Sequence, residues 1–213
     1  MTTSFGRHCL LGLSAATLLV ACKPKGNYAT DTTSSAGAVA TGSDSANRAA
    51  AATDTTANRT GSWTDGQIFA FASAANNGEI AEGKLAQTRA TNAKVKAFAR
   101  QMVTDHQAML NELKTFAKNH NITADSTRND VTDLTKDARD ELKDLTDKAK
   151  GADWDKDFMD KEIDGHKKVL DKLQEAERST TNPQFKEMLT KAIGKVQEHL
   201  TKAQDIKDNT LKS

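Results

Sequence analysis

From Trp63 onward, apolar residues recur at alternating spacings of four and three, and the only proline in that stretch, Pro183, follows Asn182 at a helix start. That period keeps one face of an α-helix apolar, whereas a half-buried strand alternates every second residue. With no helix breaker inside the pattern, and with Ala, Lys, Asp and Leu abundant, the expected fold class is all-α.

Five helices are expected. The first spans about 64 to 89, capped by Thr64 or Asp65, with the inward seam Ile68, Ala72, Ala75, Glu79, Glu82, Ala86. The second spans about 92 to 120, with Val95, Ala99, Met102, His106, Met109, Leu113 and Phe116. After a polar break comes a weaker helix, about 129 to 150, whose narrow stripe and dense charge place it on a surface, with Gly151 ending it. The fourth spans about 153 to 178, with the seam Met159, Ile163, His166, Leu170, Leu173. The last starts at the Asn182 cap with Pro183 in its first turn and runs to about 209, with Phe185, Leu189, Ala192, Val196, His199, Ala203 and Ile206 inward.

Short connections make the first pair antiparallel, and likewise the last pair. The helix at 129–150 is long enough to carry the chain roughly 30 Å back along the bundle, at about 1.5 Å per residue. The expected architecture is therefore a ferritin-like four-helix bundle with a long crossover containing an extra helix.

Each bundle helix interrupts its seam with polar residues: Glu79 and Glu82, then His106 beside Asp105, then Glu162 and His166, then His199. With a crossover, these seven fall within a slab about 10 Å thick, at about 1.5 Å per residue. Buried carboxylates are costly unless paired or bound to metal. One reading is a transition-metal centre (Fe, Mn, Zn or Cu) ligated by His106, His166, His199 and Glu82. Glu79, Asp105 and Glu162 would then add ligands or support them, Asp105 by orienting His106. The paired Glu-x-x-His motifs of ferritin-like di-iron proteins are missing. The other reading is a metal-free His–Glu network. Gly78 and Gly83 are expected to loosen the first helix.

Ahead of Trp63 the composition changes. Arg7 precedes an apolar run over 9–20, too short to span a bilayer but of signal-peptide length. The following Leu19-Val20-Ala21-Cys22 resembles the bacterial lipobox. That resemblance implies a lipoprotein signal peptide over 1–21, lipidation of Cys22 and membrane anchoring through it. Lys23, in place of an inner-membrane Asp, points to the outer membrane facing the periplasm. Residues 22–62, rich in Ala, Thr and Ser, read as a disordered tether, and 63–213 as the domain.

A net charge of +1 and a single Tyr argue against nucleic-acid binding. No Gly-x-Ser-x-Gly segment points to a hydrolase, and no Gly-rich loop with Lys to a nucleotide. The functional alternatives are a metal-binding envelope protein, in metal handling or stress defence, and a non-catalytic envelope interaction protein.

The stretch Val95-Lys96-Ala97-Phe98-Ala99-Arg100-Gln101-Met102-Val103-Thr104-Asp105-His106 resembles the signature of an exported bacterial family, domain of unknown function 4142. Ala74-Ala75 leading to Glu79-Ile80-Ala81-Glu82, Asp155 to Met159 followed by His166, and His199-Leu200 extend the likeness over about 64 to 208. It implies a ferritin-like bundle and no particular activity. The family's acid directly before the second His is replaced here by Gly165, so Glu162 or Asp164 would have to stand in for it.

Overall fold

A computed structural model describes residues 61–211 of the chain. The expected signal peptide, Cys22 and most of the tether lie outside the described residues. Five helices follow in order: α1 (Asp65–Arg89), α2 (Ala93–Asn119), α3 (Asn129–Asp147), α4 (Ala152–Ser179) and α5 (Pro183–Thr210). Among the described residues there is no strand, and no helix is long and apolar enough to cross a membrane.

Side chains set the helix starts. The Thr64 hydroxyl accepts from the Gln67 N–H, and the Gln67 side chain accepts from the Thr64 N–H, each at 3.2 Å. Asn92 and Asn182 cap α2 and α5 in the same sense, and Pro183 occupies the first turn of α5. α3 stops at Asp147, earlier than its pattern suggests. Gly151 does not end it. With φ of 150° it sits at the start of α4, and its carbonyl accepts from the N–H groups of Trp154 and Asp155.

Contacts at the helix ends fix the topology. Arg128, just before α3, donates to the Gly61 carbonyl at 3.0 Å and stacks 4.1 Å over Trp63, so α3 begins beside the start of α1. At its other end the Thr146 carbonyl accepts from Arg89 at 2.6 Å, beside the end of α1. The Trp154 indole reaches back to the Leu145 carbonyl at 2.8 Å. α3 is thus the long crossover, and it makes α4 parallel to α2. Asp155 locks the turn: its carboxylate accepts from the backbone N–H groups of Thr91 and Asn92 and from the Thr91 hydroxyl. At the opposite end Thr180 donates to Asp65 at 2.7 Å.

The core has two apolar clusters. One gathers Ile68, Phe71, Leu113, Phe116, Leu173, Phe185 and Leu189. The other gathers Val95, Phe98, Met102, Trp154, Phe158, Met159 and Ile206. The polar seam residues lie along the helices between them. As its narrow stripe implies, α3 stays at the surface and buries only Val131 and Leu145. Gly83 does not loosen α1. It lets α1 close on α2, since a Cβ there would lie 2.8 Å from Val103 Cγ2 and 3.2 Å from the Ala99 carbonyl.

Candidate metal centre

The three seam histidines come from α2, α4 and α5 and meet in the middle of the bundle. His106, His166 and His199 are 4%, 1% and 0% exposed. Their ring centroids are 5.9 Å (His106–His166), 5.2 Å (His106–His199) and 5.7 Å (His166–His199) apart. Each offers one nitrogen within 4.8 Å of the other two.

Hydrogen bonds on the far side of each ring determine its tautomer. His199 Nε2 lies 2.8 Å from Asp105 Oδ2, a carboxylate that only accepts, so Nε2 carries the proton. His166 Nδ1 lies 2.7 Å from the Glu162 backbone carbonyl and therefore donates as well. His106 Nδ1 lies 3.0 Å from Asn76 Oδ1. The Asn76 amide nitrogen is committed to the Ala72 carbonyl at 2.7 Å, so the oxygen faces the ring and His106 Nδ1 donates. Every imidazole is left with one bare lone pair, on His106 Nε2, His166 Nε2 and His199 Nδ1. All three atoms are buried without a hydrogen-bond partner. Metal-ligating histidines are arranged in this way, with the second ring nitrogen donated to an acceptor that sets tautomer and orientation.

Electrostatics keep two of these lone pairs, on His106 and His199, free of protons. Burial, with the neighbouring His166 and His199, holds His106 well below the ordinary histidine range. Burial also lowers His199, against the opposing hydrogen bond that it donates to Asp105. Burial alone would raise Asp105, but hydrogen bonds from His199 and Gln101 and the charge of Lys195 outweigh it and hold the carboxyl below its usual range.

Carboxylates gather at the other edge of His166. Glu79 Oε1 and Glu162 Oε2 lie 3.7 and 3.6 Å from His166 Nδ1. Glu82, one turn along α1, is 6% exposed. Burial, then the charges of Glu79 and Glu141, push it up to about 9. Burial and the charges of Glu79 and Glu82 raise Glu162 well above the carboxylate range.

The seven sequence-chosen residues therefore divide. Three histidines form the nitrogen cluster. Glu79 and Glu162 flank His166, with Glu82 in the same acidic group. Asp105 orients His199 across the α2–α5 interface, not its neighbour His106. Asn76 does that work for His106, and sequence reasoning missed it because it falls one position off the four-three seam. The i, i+4 spacing from Ala72 to Asn76 was the available signal. At Gly165, where the resemblance implied an acid, Glu79 Oε1 lies 3.9 Å from the position a Cβ would take. Glu79 and Glu162 supply the acids near His166, while Asp164 is exposed and pairs with Lys167.

A cavity of about 300 Å³ opens between α2 and α5 and reaches His106, Asn76 and Asp105 past walls that include Met109, Leu113, Leu173 and Leu189. Met109, read as a seam residue, lines this cavity half-buried, and Leu110 enters the core instead.

No curated protein and no solved structure matches the chain. With its helical bundle and its His106, His166 and His199 core in place, the chain belongs to the family described as Domain of unknown function (DUF4142), whose profile matches residues 47–206.

Proposed function

We propose that the helical domain binds one transition-metal ion through His106 Nε2, His166 Nε2 and His199 Nδ1, as part of an exported lipoprotein held at the outer membrane by Cys22 and serving metal handling or stress defence. The observation that carries the metal reading is that three clustered imidazoles, each with a nitrogen within 4.8 Å of the other two, each keep one buried nitrogen unpartnered because a hydrogen bond occupies the opposite ring nitrogen. A metal-free network would have spent those nitrogens on hydrogen bonds. Three neutral imidazoles suit Zn, Cu or Fe and leave room for a further ligand. The apolar cavity ending at His106 supports access for that ligand. The export reading rests on the lipobox-like Leu19-Val20-Ala21-Cys22 alone.

Elemental analysis of the full chain, purified without chelator from cells supplied with Fe, Mn, Zn and Cu, tests the metal reading. The expected result is a stoichiometric metal that is lost in His106→Ala and in His199→Ala. No metal above background would make the layer a structural network and turn the search to envelope partners.

A further inference from the structure

The acidic side of His166 has its own unmet chemistry. A void of about 40 Å³ lies between α1, α3 and α4, lined by Glu79, Glu82, Glu141, Glu162 and Lys161. A water needs about 10 to 15 Å³ on this measure, so the void has room for an ion with a water or two. Glu162 is fully enclosed, with its side chain 0% exposed, and neither of its oxygens has a hydrogen-bond partner outside the carboxylate group itself, in which it meets Glu79. Glu79 Oε2 has none either.

The nearest proton donor does not satisfy them. His166 Nδ1–H is already given to the Glu162 backbone carbonyl at 2.7 Å and lies beyond 3.5 Å from both carboxylates. The two lysines on the void's wall make 3.7 Å ion pairs with Asp144 (Lys161) and Asp137 (Lys168). They act on the acidic group through their charge, Lys161 on Glu82 and both on Glu141, without a hydrogen bond to Glu79 or Glu162. A buried carboxylate without a partner is costly, and a bound cation offsets that cost directly. Glu79 and Glu162 each bring an oxygen within 4.8 Å of the other and of a His166 nitrogen.

We propose that Glu79, Glu82 and Glu162 bind a second, oxygen-preferring divalent cation of the Mn²⁺ or Mg²⁺ class, separated from the three-histidine site by the His166 ring. Carboxylates and water select hard cations, whereas the imidazole nitrogens select Zn, Cu or Fe, so the two positions hold different metals. This deepens the metal reading above and rests on it for the second ion's neighbour, but the two fail separately.

The test uses the full chain stripped with EDTA and dialysed, with Mn²⁺ binding read from the loss of the free-ion electron paramagnetic resonance signal. Co²⁺ reports the nitrogen site through its visible absorption bands. One equivalent of Mn²⁺ is expected to bind wild type. Glu79→Gln/Glu162→Gln, isosteric and checked for fold by circular dichroism, is expected to weaken Mn²⁺ by at least 100-fold and leave the Co²⁺ bands unchanged. His199→Ala is expected to lose the Co²⁺ bands and retain Mn²⁺. Normal Co²⁺ bands with no Mn²⁺ bound by wild type, or Mn²⁺ binding unchanged in the double Gln variant, would overturn the second site and leave the first. Mn²⁺ uptake with no Co²⁺ bands in wild type would overturn the histidine site and leave the second.

Discussion

His166 has a nitrogen cluster on one edge and a carboxylate group on the other, and the two are built on opposite plans. On the histidine side every outward atom has a partner: Asn76 for His106, the Glu162 carbonyl for His166, Asp105 for His199. Only the inward lone pairs are bare. On the carboxylate side both oxygens of Glu162 and Oε2 of Glu79 have no partner outside the acidic group itself. The first arrangement is rigid before any ion arrives. The second is a concentration of buried negative charge that protons or a cation must relieve. Preorganisation and electrostatic demand are thus separated by the width of one ring.

The sharpest way to break the contrast is to delete a histidine. His106→Ala, His166→Ala and His199→Ala should each reduce bound Zn, Cu and Fe, the nitrogen-preferring metals, to background by elemental analysis. Wild type should also lose stability on chelation, by about 2.7 kcal/mol for the histidine site if free metal had stood at 100 times Kd, while the variants lose only what the carboxylate-bound ion contributes. Equal melting temperatures for wild type and His166→Ala, with and without chelator, would remove the contrast altogether.

pH should act with opposite sign on the two sides of the metal-stripped chain. Glu82 is raised from 4.5 to about 9, so its folded-state stabilisation is complete below about 4.5 and is lost as pH rises towards 9. The slope of one proton is about 1.4 kcal/mol per pH unit. Glu82→Gln should remove one proton's share of the alkaline decline in denaturant midpoints measured from pH 5 to 9, leaving the share of Glu162, which burial raises in the same direction. His106 is shifted the other way: its contribution is complete above 6.5 and falls as pH drops below it, because the unfolded chain takes up the proton first. A variant whose stability retains the full alkaline slope would show that Glu82 is not the group responsible.

Smaller effects compare the outer partners with one another. Asp105→Asn keeps an acceptor but removes its charge, and should weaken metal binding about 10- to 100-fold, the usual cost of losing such support. Asn76→Ala, which removes a neutral acceptor, should cost nearer 10-fold, since hydrogen bonds to ionised groups are about twice as strong. Competition titration with a coloured chelator measures both. If Asn76→Ala proved the more damaging, fixing the His106 tautomer would matter more than the charge behind His199.

The pattern of the chain reached far into this structure. Thr64, Asn92 and Asn182 announced their helix starts because capping is a local interaction between a side chain and N–H groups two or three residues on. The crossover followed from segment lengths, and the surface position of α3 from its narrow stripe. The inward facing of His106, His166, His199 and Glu162 followed from period alone. The end of α3 and the role of Gly151 were less legible, since charge-rich sequence continues smoothly through both.

What period cannot specify is which atoms meet across helices. Asp105 pairs with His199, ninety-four residues away, and Asn76 with His106, thirty away. Both pairings depend on the rotation and axial offset of one helix against the next. Those are set by packing, such as the approach of α1 to α2 that Gly83 allows. Sequence therefore determined that histidines and acids would share one buried level in an all-α bundle. Only the tertiary structure decided that the three histidines cluster with one unpartnered nitrogen each while Glu79 and Glu162 gather at the Nδ1 edge of His166, because that outcome lies in interhelical geometry and not in any single helix.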